Sequence, residues 1–155
     1  MNRQNYQLSL ITNIVLIALK HCNRVWKTYF RYKNRGVVTD ILVKLNYKGQ
    51  NRIAVINAEA DFFDLISKLL PDVIIDGIID PRFPYSYIIL FVKSKSDIDH
   101  LTPVALHNLT ADGTLWFCYP KKTSKKYSVD IDRDHGWDAL NNSGFRGIRM
   151  VSVDD

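Results

Sequence analysis

Residues 52–76 read Arg-Ile-Ala-Val-Ile-Asn-Ala-Glu-Ala-Asp-Phe-Phe-Asp-Leu-Ile-Ser-Lys-Leu-Leu-Pro-Asp-Val-Ile-Ile-Asp, and their hydrophobic pattern changes twice. Residues 52–57 are a continuous apolar run of strand length, suited to burial on both faces. From Asp61, a candidate N-cap, the apolar residues Phe62, Leu65, Ile66, Leu69 and Leu70 recur at i, i+3, i+4 spacing until Pro71 stops the helix. Residues 72–76 then return to a strand pattern. Strand, helix and strand in 25 residues is the unit from which parallel sheets are built.

Working outward, the same alternation continues. Residues 40–45 form a short amphipathic opening closed by the Lys48-Gly49 turn. Tyr87 to Val92 is another buried strand, and Ser96-Asp97-Ile98-Asp99 opens a helix as a variant capping box, with Pro103 fitting a restart within it. Ala111-Asp112-Gly113 reads as a turn and residues 114–119 as a further strand. Asp134 is a candidate cap for a helix carrying Trp137 and Leu140, ended by Gly144. Residues 147–153 make a last strand. The pattern predicts a small α/β domain of the Rossmann-like class, with a mostly parallel sheet of about five strands and helices on both faces. One link does not suit a helical crossover. About ten residues, including Pro81 and Pro84, join the strands at 72–76 and 87–92, so an extended crossover is expected there.

A chain of 155 residues is one domain by size, and its composition is that of a globular protein. The net charge of +5 divides unevenly. Residues 1–37 hold seven basic and no acidic side chains, leaving 14 basic and 16 acidic residues elsewhere, a net of −2. Basicity therefore belongs to the N-terminal arm, and specific nucleic-acid binding by the domain is not expected. The apolar run at 8–19 is shorter than the roughly 20 residues of a membrane span. Trp26, Tyr29, Phe30 and Tyr32, interleaved with Lys27, Arg31 and Lys33, suit an amphipathic basic helix. Two readings of residues 1–37 follow: an over-long start, with Val38 opening the protein, or a membrane-associating helix. The first is favoured, so the domain is expected over residues 38–155 and membrane association only through the arm. Cys22 and Cys118 lack Cys-x-x-Cys spacing, which fits a reducing, cytoplasmic compartment.

Residues 115–122, Leu-Trp-Phe-Cys-Tyr-Pro-Lys-Lys, then Ser124, Asp130-Ile131-Asp132-Arg133-Asp134 and Gly136-Trp137, resemble the hallmark of an uncharacterised bacterial domain family. The resemblance covers roughly residues 39–155. It implies a small Rossmann-like core similar to the methyltransferase fold, and it implies no reaction. That family has nothing like residues 1–37 and usually continues into one more strand, so the resemblance also implies a domain lacking its last strand.

Ligands of an open parallel sheet bind beyond the carboxyl ends of its strands. That edge is expected to gather Asn57, Glu59 and Asp76, the Lys93-Ser94-Lys95 turn, and the loop from Tyr119 to Arg133. Tyr119, Lys121, Lys122, Ser124, Lys125 and Arg133 make a candidate site for a small anion, since several cations and hydroxyls converge just past a strand end. A solvated loop neutralised by Asp130, Asp132 and Asp134 is the plainer alternative. Arg133 is expected to form a buried or half-buried ion pair with its flanking aspartates. A degenerate S-adenosylmethionine-dependent methyltransferase is the enzymatic alternative. It would want a glycine turn after the first strand, where residues 57–61 have none, and Asp76 as the ribose partner. No histidine or cysteine spacing suits a metal, and no cofactor is expected. A ligand-binding or partner-binding domain without catalysis is the reading the sequence favours.

Overall fold

The computed structural model describes residues 13–19 by their backbone, together with residues 39–120 and 127–152. In chain order the elements are β1 (Asn13–Leu19), α1 (Thr39–Lys44), β2 (Arg52–Ile56), α2 (Ala60–Leu69), β3 (Ile74–Asp76), β4 (Tyr85–Phe91), α3 (Lys95–Asn108), β5 (Leu109–Pro120), α4 (Asp138–Asn142) and β6 (Gly147–Ser152). The strands form one sheet in the order β3-β2-β4-β5-β1-β6, and every pairing is parallel. The α/β class and the parallel sheet are as expected.

Parallel strands need cover on both faces, and the side-chain alternation of β2, β4 and β5 supplies two apolar surfaces. On one face Ile53, Val55, Tyr87, Ile89, Trp116 and Cys118 pack with Phe62 and Ile66 of α2 and with Leu45 just after α1. On the other face Ala54, Ile56, Ile88, Leu90, Phe117 and Tyr119 pack with Ile98 and Ala105 of α3 and with Leu140 of α4. Each fully buried aliphatic side chain contributes about 1.5–3 kcal/mol, so this double layer supplies most of the fold's stability. Because α2 and α3 lie on opposite faces, the winding direction reverses between β2 and β4. The topological switch point of the sheet is there.

Three sequence boundaries move. Helix α2 begins at Ala60 behind Glu59, which leaves Asp61 in its first turn. Helix α3 is capped by Ser94 in a capping box with Asp97, and it runs unbroken through Pro103. A proline late in a helix costs one hydrogen bond and some crowding. Burial of Ile98 and Ala105 on either side of Pro103 outweighs that loss. The turn at 111–113 becomes part of β5. The pairing passes from Tyr85↔Leu109 to Tyr87↔Thr114, so residues 110–113 bulge out opposite Ser86.

The arm also differs from expectation. Its apolar run enters the sheet as β1, between β5 and β6, in register from Asn13↔Thr114 to Leu19↔Pro120. The boundary expected at residue 38 therefore does not divide arm from sheet. Ile-Val-Leu-Ile-Ala-Leu has the same unbroken apolar character as β2 and β4, which suits a strand covered on both faces as well as it suits the start of a span. Residues 1–12 and 20–38, including the basic aromatic stretch, lie outside the described residues. Among those described, no helix is long and apolar enough to cross a membrane.

The β3–β4 connection is the extended crossover anticipated. Residues 77–84 pass over β2 without a helix, with Ile79 buried in the α3-side cluster. Arg52 anchors it, donating through Nε and Nη2 to Asp76 at 2.6 and 3.1 Å, while Phe83 lies 3.7 Å from the guanidinium.

On the opposite face of the sheet, the Leu45 carbonyl accepts from two buried donors, Tyr87 Oη at 2.7 Å and Trp116 Nε1 at 2.8 Å. These bonds fasten the end of α1 to the sheet. Tyr87→Phe leaves the carbonyl one partner and is expected to cost about 1 kcal/mol. Combined with Trp116→Phe it leaves none, and urea unfolding is expected to show a combined loss larger than the sum of the single losses.

Candidate functional site at the switch point of the sheet

At the carboxyl ends of β2 and β4, three side chains close the crevice. Glu59 lies between β2 and α2, and Lys93 follows β4. Lys93 Nζ is 3.1 Å from Glu59 Oε1, and Tyr127 Oη donates to the same oxygen at 2.7 Å. Lys93 Nζ also lies 4.3 Å from the centre of the Tyr127 ring, so the ammonium is held by a carboxylate and a π face together. The chain leaves β2 through Asn57, whose φ of 56° is left-handed. Asparagine tolerates that conformation, so a sharp turn forms here without glycine.

The start of α3, a short distance along the same edge, is already occupied by carboxylates of the chain. Asp97 accepts from the Lys93 and Ser94 amides at 2.7 and 2.9 Å, and Asp130 accepts from the Lys95 amide at 2.8 Å. The exposed amides that make helix starts attractive to phosphate are therefore taken.

Residues 130–137 form a clasp, which accounts physically for the Asp-x-Asp-Arg-Asp-x-Gly-Trp pattern. Asp130 reaches α3. Ile131 is fully buried. Asp132 Oδ1 accepts from the Asp134 and His135 amides at 2.8 and 2.9 Å and contacts His135 Nδ1 at 2.8 Å. Trp137 donates through Nε1 to the Asp132 carbonyl at 2.7 Å and packs edge-on against Phe117 and Tyr119. Gly136 has φ 99°, and a Cβ there would stand 2.5 Å from Ile131 Cγ2. Only glycine fits. Asp134, the expected helix cap, thus belongs to a turn, and α4 begins four residues later at Asp138.

The sequence-derived candidates separate in space. Asn57 and Glu59 are at the switch point, as expected for strand-end residues. Asp76 lies at the end of β3 with both oxygens engaged by Arg52, and Tyr85 Oη donates to it at 2.7 Å. The hydrogen bonds from Arg52 hold its carboxyl below the usual carboxylate range, against the opposing effect of burial. Tyr119 is in the core against Trp137, and burial raises its phenol above the ordinary value. Arg133 corrects the expectation of a buried pair. Both it and Asp134 are 77% exposed and 3.9 Å apart, because the turn around Asp132 projects them outward. Lys121, Lys122, Ser124 and Lys125 lie outside the described residues. Cys118 is buried and its thiol is pushed up by desolvation, so it behaves as a small core residue. Among the described residues no three His, Cys, Asp or Glu side chains are grouped to hold a metal. Lys93 falls in a turn expected at this edge, whereas Tyr127 carries no sequence signal beyond following the lysine run.

No protein-family model matches the chain, and no curated protein or solved structure matches it either.

Two outcomes test this geometry. Gly136→Ala is expected to destabilise the domain by about 1–3 kcal/mol, read by urea unfolding, because the left-handed backbone and the approach of Ile131 both oppose a side chain. For Asp76 the sign follows from its lowered folded-state pKa. Its stabilisation is fully present above the unfolded value of about 3.9 and is lost as pH falls through the folded value. Wild type should therefore exceed Asp76→Asn in thermal midpoint at pH 7, with the gap closing progressively below about pH 4.

Proposed function

We propose that the chain is a non-catalytic ligand-binding α/β domain that takes a small anion at the carboxyl edge of its sheet. The observation that carries this reading is the Glu59–Lys93–Tyr127 cluster across the switch point. Lysine and tyrosine both present to a carboxylate of the chain the donors that an incoming phosphate or carboxylate would use. An anionic ligand would exchange for Glu59 on that pair. The lysine-rich segment 121–126 would add positive charge to this site. It leaves the sheet at Pro120, the last residue of β5, and rejoins the described chain at Tyr127 on Glu59. Lys121, Lys122, Lys125 and Lys126, with Ser124 among them, enter the proposal as the cations of the sequence between those two residues. Tyr119 contributes to this reading as the buried root of the segment, and Arg133 is set apart from it.

One observation favours the S-adenosylmethionine-dependent alternative. Asn57 makes the sharp turn after β2 that a glycine would make in such an enzyme. Two others support binding without that chemistry. Asp76, which would hold the ribose, is committed to Arg52 and Tyr85, and the start of α3 is filled by Asp97 and Asp130. The resemblance to an uncharacterised bacterial family with a Rossmann-like core is part of this proposal and agrees with a binding role. A cytoplasmic setting completes it, since Cys118 is a free thiol and no disulfide pattern is present in the sequence.

The test is thermal stability with inorganic phosphate, citrate, ATP and S-adenosylmethionine. A ligand at about ten times its Kd adds about 1.4 kcal/mol, which for a domain of this size raises Tm by about 3–6 °C. The shift should appear with one of the anions, weaken with salt, and vanish in Lys93→Ala and in the Lys121→Ala/Lys122→Ala pair. A shift with S-adenosylmethionine alone would favour the enzymatic alternative. Absence of any shift would remove the anion site.

A further inference from the structure

The sheet ends at β6, far from the switch point, and a groove of about 420 Å3 runs beside it under α4. Trp137, Leu140 and Phe145 line it together with polar groups, Asn141 among them. Its rim carries two guanidinium groups, Arg133 and Arg149, against one carboxylate, Asp134. Arg146 is exposed one residue before β6 begins. Arg133 has an ion pair with Asp134 at 3.9 Å in which both side chains are 77% exposed, and Arg149 has no ion pair among the described residues.

Three features of β6 add to this. Among the described residues it is the terminal strand and pairs with β1 alone, so alternate amides and carbonyls along it face away from the described sheet. Ile148 and Met150 are 57% and 43% exposed, large apolar residues on an open edge. The register passes from Ile14↔Gly147 to Val15↔Arg149, which skips Ile148. That bulge breaks strict alternation, and Ile148, Arg149 and Met150 all line the groove. An edge strand, two exposed apolar side chains and Arg149 thus fall within six residues, with Arg133 and Arg146 nearby.

We propose that β6 is a docking edge for an extended peptide that alternates acidic and apolar side chains. The peptide adds to the sheet through its backbone. Its apolar residues enter the groove over Trp137, Leu140 and Phe145, and its carboxylates meet Arg133 and Arg149. Charge complementarity selects this occupant. Pairing of β6 with β6 of a second copy would bring Arg146 and Arg149 of one chain against those of the other, and like charges across strands oppose pairing. Backbone pairing supplies affinity here and the alternate side chains supply specificity, the division seen wherever a peptide extends a sheet.

The experiment uses the full chain and fluorescence anisotropy with three fluorescein-labelled hexapeptides. These are (Asp-Leu)3, (Lys-Leu)3, and (Asp-Leu)3 with each leucine amide N-methylated. The acidic peptide is expected to bind with a Kd of about 10–100 µM at low salt, at least ten-fold tighter than the lysine peptide. N-methylation, which removes the donors a strand edge needs, should weaken it ten-fold or more. Arg149→Glu should weaken it by a similar factor, while Lys48→Glu, an exposed charge in the turn before β2, should leave it unchanged. Unaltered far-ultraviolet circular dichroism of both variants excludes misfolding as the cause. Absence of binding up to about 1 mM overturns the proposal, as does equal binding of the lysine peptide. Undiminished binding of the N-methylated peptide, or full displacement by indole-3-acetate, overturns it in favour of a pocket for small carboxylates.

Discussion

Burial of β2, β4 and β5 on both faces is the constraint from which the rest of this structure follows. A strand with apolar side chains on both sides is stable only inside a sheet whose two faces are covered. Parallel neighbours can be reached only by crossovers that lie on those faces. With α1 and α2 on one side and α3 and α4 on the other, the winding must reverse somewhere, and it reverses between β2 and β4. That reversal opens the crevice in which Glu59, Lys93 and Tyr127 meet. The short, helix-free return from β3 to β4 is the exception. It depends on Arg52, whose pair with Asp76 and contact with Phe83 replace the cover that a helix would provide.

Strand β5 connects the core to the functional edge. Its successive residues serve opposite faces, Trp116 against α1 and Phe117 and Tyr119 against Trp137. The chain beyond it is then secured by residues 127–137. Tyr127 is tied to Glu59, Asp130 to the start of α3, and Trp137 to the core. The distinctive pattern of this region is largely accounted for by that fastening. Asp132 and Gly136 build its turn. The lysines between Pro120 and Tyr127 lie outside the described residues.

Charge is distributed by region. The domain beyond the arm is slightly acidic overall, yet Lys93 and Lys95 stand at the carboxyl edge and Arg133, Arg146 and Arg149 lie around β6. These are two separate positive features on different parts of the molecule. Their surroundings differ in kind. The first adjoins a crevice with polar partners already in place, and the second borders a groove and an edge strand.

Much of the fold was legible in the residues themselves. Apolar runs of strand length and the 3.6-residue spacing of Phe62, Leu65, Ile66 and Leu69 mark elements whose burial is decided locally. Gly144 and Pro71 mark where helices must stop. From these the class, the parallel sheet, the covered faces and the irregular crossover at 77–84 follow. What the residues could not disclose depends on partners distant in sequence. The apolar run at 13–19 has the composition of a strand or of part of a short span, and its place as a strand comes only from pairing with β5 and β6. Arg133 reads as a member of an ion pair, but the turn built on Asp132 points it into solvent. Asp76 reads as a ligand-binding carboxylate until Arg52, 24 residues earlier, is found to hold it. Tyr127 gains its place only because Glu59 and Lys93 are brought beside it by the reversal of the sheet. Periodicity and turn chemistry are properties of neighbouring residues and can be read along the chain. Hydrogen bonds and ion pairs between strand ends arise from the order of strands, which only tertiary packing decides.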